Sequence, residues 1–202
     1  MKKLILTTLI AAGLGMTAQG AFAANGVAGV ANLESSARAI DTNADGIVQI
    51  QGLVVNTTCE ITGNAGKNVN LDLPKVQASK LAQQGAKLGE NSFEIKLSNC
   101  QNLDEVTKAR AYFLDNTSYV NDNGRLENKH SGDDAATNVS IELLNSDDSV
   151  INPKLRQSQG SNSFTITSGA ATLKYKARYY AEKANVTAGK VLAKVEYYIE
   201  YQ

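Results

Sequence analysis

Two cysteines, one histidine and a few paired carboxylates are the side chains that could do covalent or acid–base chemistry in this chain. A thiol nucleophile needs a base beside it. The single histidine, His130, lies in a polar stretch, Asn128-Lys-His-Ser-Gly-Asp-Asp134, with no sign of a catalytic setting. Cys59 and Cys100 sit in or beside strand-like segments, and an isolated pair in an oxidising compartment is most simply a disulfide. Closing a loop of about 40 residues would stabilise the fold by roughly 3–4 kcal/mol in the chain-entropy account. Asp133-Asp134 and Asp147-Asp148 fall in polar turns and read as solvated carboxylates rather than an acid–base dyad. Asp41-Thr-Asn-Ala-Asp-Gly46 matches the first half of a calcium loop, but the twelfth position is Gly52 where a bidentate carboxylate is required. Phosphate-binding, C-x-x-C and H-E-x-x-H motifs are missing. The expectation is a chain with no catalytic residues, metal or cofactor, and not an enzyme.

The patterning points instead to elements built for pairing. In Gly189-Lys-Val-Leu-Ala-Lys-Val-Glu-Tyr-Tyr-Ile-Glu-Tyr-Gln202, the residues Val191, Ala193, Val195, Tyr197, Ile199 and Tyr201 share one strand face. Lys194, Glu196 and Glu200 share the other, the alternation of a half-buried strand. Termini usually fray, so so strong a signal reaching Tyr201 predicts a segment built into a sheet or held by a partner. Further strands are predicted over 47–55, 69–73, 92–98, 110–114, 139–144, 163–167 and 173–180, separated by polar turns. Phe93, Ile95 and Leu97 should face inward. Val76 to Leu88 predicts a helical turn or two, kept short by Gly85 and Gly89, and Asn121 to Asn138 predicts an exposed loop. Many short strands with turns between them imply an all-β sandwich.

At the other end, Lys2 and Lys3 precede an apolar run, Leu4 to Leu14, and then Ala21-Phe22-Ala23. A charged start, a short apolar stretch and an A-x-A site make a secretory signal peptide over residues 1–23. Cleavage after Ala23 would leave 179 of the 202 residues, a length that suits one domain. Losing Lys2 and Lys3 from the 20 basic residues leaves 18 against 20 acidic ones, a formal charge of −2. That balance gives no electrostatic grip on nucleic acid or anionic lipid. The mature chain has no Trp or Met and only Pro74 and Pro153 as prolines.

Five segments together resemble the subunits of chaperone–usher pili, the type 1 and P-type major-subunit family of Gram-negative bacteria. They are Gly46-Ile-Val-Gln-Ile-Gln-Gly-Leu-Val-Val-Asn-Thr-Thr-Cys59, Phe93-Glu-Ile-Lys-Leu-Ser-Asn-Cys100, Ala136-Thr-Asn-Val-Ser-Ile-Glu-Leu-Leu144, Lys176-Ala-Arg-Tyr-Tyr180 and the terminal stretch from Gly189. Each is weak alone; five in order are specific. The resemblance spans residues 46–202.

The resemblance implies an incomplete immunoglobulin-like β-sandwich lacking its last strand, with a pilin domain over 47–202 and an N-terminal extension over 24–46. A donor strand from a chaperone or a neighbouring subunit would complete it, a form of β-augmentation. By the same resemblance, Gly189, Val195, Tyr197, Ile199, Tyr201 and Gln202 would form the chaperone-binding groove segment, with the carboxylate of Gln202 held by basic residues of the chaperone. The donor strand would present Ile40, Thr42, Ala44, Gly46 and Val48, with Gly46 at a shallow pocket. A second register, Val27, Gly29, Ala31 and Leu33, is open further upstream, and Ala24 to Ala39 are extra relative to the usual pattern. The implied partners are a periplasmic chaperone, an outer-membrane usher and identical or related subunits, with export through the periplasm to a surface fimbria that supports adhesion. A self-contained secreted β-sandwich that binds a carbohydrate or protein ligand is the alternative, with Tyr112, Tyr119, Tyr179 and Tyr180 as its possible platform.

Overall fold

The computed structural model describes residues 58–103 and 106–202, together with the single positions 48, 50, 52 and 54. The chain divides into two units, Met1–Gln51 and Gly52–Gln202; the fold below is that of the second. The signal peptide, the calcium-like stretch and Ile40, Thr42, Ala44 and Gly46 lie outside the described residues.

The strands are β1 (Thr58–Thr62), β2 (Lys87–Gln101), β3 (Lys108–Phe113), β4 (Leu126–Glu127), β5 (Val139–Asn145), β6 (Val150–Ile151), β7 (Phe164–Thr165), β8 (Ala171–Ala181) and β9 (Tyr197–Tyr201). They form two antiparallel sheets. One runs β1-β2-β8-β5-β4, with β6 also on β5; the other runs β7-β3-β9. The helical content among the described residues is two 3-10 segments, Ala78–Leu81 and Pro153–Ser158. The all-β sandwich expected from the alternating segments is what the chain adopts.

The core forms where alternating residues of the two sheets meet. On β2, Ile95 and Leu97 are buried and Phe93 partly so, and they pair across the ladder with Leu173, Ala171 and Tyr175 of β8. On β3, Ala109, Ala111 and Phe113 face the same core. Tyr175 lies at its centre with no exposed surface. Its ring is 5.3 Å from that of Phe113, 5.7 Å from that of Phe93 and 5.7 Å from that of Phe164. Burial pushes its phenol up to about 12, so it stays a neutral hydroxyl. β5 is buried along its whole length, and its one charge, Glu142, is met by the paired Arg178, whose Nε and Nη2 donate to Oε2 at 2.8 and 2.6 Å. An uncompensated carboxylate there would be costly. The disulfide between Cys59 and Cys100 ties β1 to β2.

Three local expectations are corrected. Val69, Leu71 and Leu73 do alternate toward the core, but 69–73 joins no ladder. The Asn64 side chain exchanges two hydrogen bonds of 2.7 Å with the backbone of Asn70, and Asn91 donates to Asp72 O; side-chain amides take the place of a neighbouring strand. The stretch 121–138 is not simply an exposed loop. Leu126 is buried and pairs with Ile141 in β4, and Arg125 forks onto Glu182 at 2.7 and 2.9 Å. In the predicted strand over 47–55, positions 48, 50, 52 and 54 carry no strand, and Val48, Ile50 and Val54 are exposed. An apolar alternation becomes a strand only when a sheet edge and a core receive it.

Candidate functional site: an open sheet edge

The terminal segment shows how the edge is made. Within β9, the ladder to β3 pairs Tyr197 with Phe113 and Tyr201 with Ala109. Gln202 exchanges backbone hydrogen bonds of 2.8 Å with Lys108, and Leu114 N–H donates to Glu196 O at 2.9 Å. In an antiparallel pair, directly bonded residues alternate with unbonded ones. The even-numbered residues 196 to 202 therefore spend their backbone groups on β3. The backbone groups of Tyr197, Ile199 and Tyr201 point to the opposite side, where no strand lies among the described residues.

The same parity continues upstream, with a loop in place of β3. Lys129 N–H donates to Leu192 O at 2.7 Å, Ala136 N–H to Lys190 O at 3.0 Å and Lys190 N–H to Asp134 O at 2.7 Å. Val191, Ala193 and Val195 thus turn their backbones outward like Tyr197, Ile199 and Tyr201. The predicted alternation is present in full, though only 197–201 forms a ladder.

Side-chain burial tells the same story. Val191, Ala193, Val195, Tyr197, Ile199 and Tyr201 pack on the core but are only partly buried, whereas their opposite numbers Ala109, Ala111 and Phe113 are fully buried. Leu192, Lys194, Glu196 and Tyr198 are exposed; Glu200 is held half-buried by a fork from Arg110 at 2.8 and 3.0 Å. Across from this segment stand β1 and 63–73, whose Cys59, Ile61, Val69 and Leu71 are likewise partly buried. Two tyrosines reach over: Tyr197 Oη donates to Lys67 O at 2.6 Å, and the Tyr201 phenol contacts the Cys59 backbone. Burial raises both phenols above the ordinary range. The result is an apolar groove between β1 and β9, each the last strand of its sheet.

The far side of β3 differs. β7 covers only Lys108 and Ala109. Beyond it, Ala111 N–H donates to Tyr175 Oη at 2.9 Å, and Gln159 accepts from Phe113 N–H at 2.9 Å and donates to Phe113 O at 3.3 Å. One edge of this sheet is finished by side chains; along the other, no strand lies among the described residues.

The expected groove residues therefore lie together on one segment. Gly189 stands at its start for want of space: a Cβ would lie 2.4 Å from Ala136 N, 2.6 Å from Ala135 C and 2.7 Å from Asp134 O. Gln202 closes the ladder, its Oε1 accepting from Ser163 Oγ at 2.6 Å. Val48 is exposed and belongs to the other unit. His130 and Asp134 meet at 2.7 Å, but Lys190 occupies the other carboxylate oxygen at 2.8 Å; the three make a polar surface cluster. Among the described residues no group of three or more His, Cys, Asp or Glu is placed to hold a metal, and no helix is long and apolar enough to cross a membrane. The backbone partners Lys67 and Asn128 were not expected; neither carries a type or spacing that marks it.

The family model for fimbrial protein matches residues 48–202. The chain belongs to the fimbrial protein family. The F17 fimbrial protein of Escherichia coli is 39% identical over 164 residues, covering 78% of this chain and 88% of that protein. The major fimbrial subunit SMF-1 of Stenotrophomonas maltophilia is 36% identical over 163 residues, covering 78% and 93%. A solved chaperone–usher pilus structure, described in connection with rod uncoiling, shares the fold with a TM-score of 0.53 at 21% identity, covering 79% of this chain and 97% of that one. This fimbrial subunit is accordingly a structural component of an adhesive surface fimbria, exported to the cell surface, which joins other pilin subunits in a polymer. Its sandwich is the incomplete immunoglobulin-like one expected from the resemblance.

Proposed function

We propose that the groove between β1 and β9 receives a donor strand, first from a periplasmic chaperone and then, at an outer-membrane usher, from the N-terminal extension of another subunit. The observation that carries this reading is the outward parity of 191–201: six consecutive alternate residues offer backbone groups to an empty edge and half-buried side chains to an unfinished core. An added strand would satisfy both at once, with backbone bonds giving affinity and alternate side chains giving specificity. The donor is the segment Ile40, Thr42, Ala44, Gly46 and Val48 of a neighbour, Gly46 lying where the groove admits no side chain. Cys59 and Cys100 hold the β1 bank, and the role is architectural rather than enzymatic. Residues 1–23 act as the signal peptide, 24–46 as the extension and 47–202 as the pilin domain.

The test is thermal melting of the chain lacking residues 24–46, with and without a peptide spanning Ala37 to Leu53. At a hundredfold excess over its dissociation constant, a ligand specific to the folded state stabilises by about 2.7 kcal/mol, so the melting temperature should rise by several degrees. A stable monomer whose melting ignores the peptide would overturn the reading and favour a self-contained binding module.

A further inference from the structure

Among the described residues the upstream half of the open edge, 190–195, pairs with no strand of the sandwich; what holds it is the loop 128–136, through backbone bonds from Lys129, Asp134 and Ala136 and through the side-chain amide of Asn128. Asn128 Nδ2 donates to Ala136 O at 2.8 Å and to Lys190 O at 2.9 Å. Its Oδ1 accepts from Leu192 N–H at 2.9 Å and from His130 N–H at 3.0 Å. A primary amide has two donor hydrogens and two acceptor lone pairs, so Asn128 is fully engaged. Two of its bonds shape its own loop, and two grip the backbone of Lys190 and Leu192. Leu192 in turn returns its carbonyl to Lys129 N–H. The polar cluster of His130, Asp134 and Lys190 sits beside this grip, and Gly189 lets the backbone approach closely enough for it.

We infer that Asn128 is a positioning residue for donor-strand binding: with the backbone bonds of its loop, its grip on Lys190 and Leu192 holds the backbones of Val191, Ala193 and Val195 outward in register with those of β9. The inference rests on the donor-strand reading above. Asn128 touches no donor itself. Without it, the ladder to β3 still orients Tyr197, Ile199 and Tyr201, while the upstream half loses two of the five hydrogen bonds that the loop makes to Lys190 and Leu192 and is held less firmly. The acceptor edge would keep its length but be less well preorganised in that half.

The experiment uses the full chain with the Ala37–Leu53 peptide, measuring peptide affinity and the hydrogen exchange of individual amides. Asn128→Ala removes all four bonds. Asn128→Asp keeps the two accepted ones and loses the two donated ones, and supplies a second variant should the first not fold. The wild type should bind the peptide and gain protection at Val191, Ala193 and Val195 and at Tyr197, Ile199 and Tyr201 alike. Asn128→Ala should bind roughly tenfold more weakly and gain clearly less protection at Val191, Ala193 and Val195 than at the β9 amides, with Asn128→Asp between the two. Loss of protection spread evenly over both halves would mark a general structural role and overturn the inference, as would full protection in the variants. A wild type that does not bind overturns the donor-strand reading and this inference with it, so the two failures separate cleanly.

Discussion

Tyr175 does two jobs with one side chain. Its ring fills the centre of the core against Phe93, Phe113 and Phe164, and its hydroxyl crosses from β8 to accept Ala111 N–H of the opposite sheet. Tyr175→Phe keeps the packing and leaves that N–H buried without an acceptor. Loss of one partner from a buried donor costs about 1–3 kcal/mol, so urea unfolding should show a loss in that range; no measurable change would mean that the bond contributes nothing net. Such a role could not be read from the sequence, where Tyr175 is one aromatic in an alternating run. The same is true of Asn128, whose four partners lie in its own loop and in the distant terminal segment. The Cys59–Cys100 pair, by contrast, was legible, because two cysteines in an exported chain leave one pairing.

The elements were legible wherever alternation coincided with a neighbouring strand. β2, β3, β5, β8 and β9 lie on the expected segments, because period-two patterning reports a half-buried sheet face. The pattern failed at 69–73, since burial alternates there too while the backbone partners are side-chain amides, and alternation cannot distinguish the two. It also missed β4, a two-residue strand within an Asn- and Gly-rich stretch. At the terminal segment the alternation gave the face but not the parity of the backbone, which depends on Lys108, Leu114 and the 128–136 loop. Gly189 belongs to this scale. Any Cβ there would press on backbone atoms of Asp134, Ala135 and Ala136, which cannot swing aside as a side chain would. Gly189→Ala should destabilise by about 1–3 kcal/mol, seen as a lower thermal midpoint, and an unchanged midpoint would show that the loop gives way freely.

Across the whole molecule, electrostatics pins loop 121–127 to the end of β8. Burial alone would push the Glu182 carboxyl up, but hydrogen bonds from Arg125, Ser140 and Asn121 outweigh it and hold the group down to about 2, against 4.5 for the free side chain. The same bond raises the Arg125 guanidinium, and the guanidinium also lies over the Tyr180 ring at 3.8 Å. A carboxyl with a depressed folded value contributes stability that is complete above 4.5 and is lost as pH falls toward 2. Urea unfolding at neutral pH should therefore find Glu182→Gln less stable than wild type, with the gap narrowing as pH falls from 4.5 toward 2. A gap independent of pH would show that packing rather than charge holds the loop. The sandwich itself and its open edge were both readable at this scale from five segments in order.

The ladder between β3 and β9 has a consequence in time. Arg110 and Glu200, joined across it, are 90 residues apart in the chain, and closing so long a loop is slow because its entropy must be given up before any contact rewards it. The six-stranded sheet depends on pairs just as distant, Lys87 with Tyr180 among them, so both sheets must close long loops before the receptive edge exists. Until the sheet of β3 and β9 forms, the apolar face of β2 and β8 lacks the cover of Ala109, Ala111 and Phe113. Rescue by a partner is then a race against self-association, and its outcome depends on how fast the partner arrives as much as on how tightly it binds.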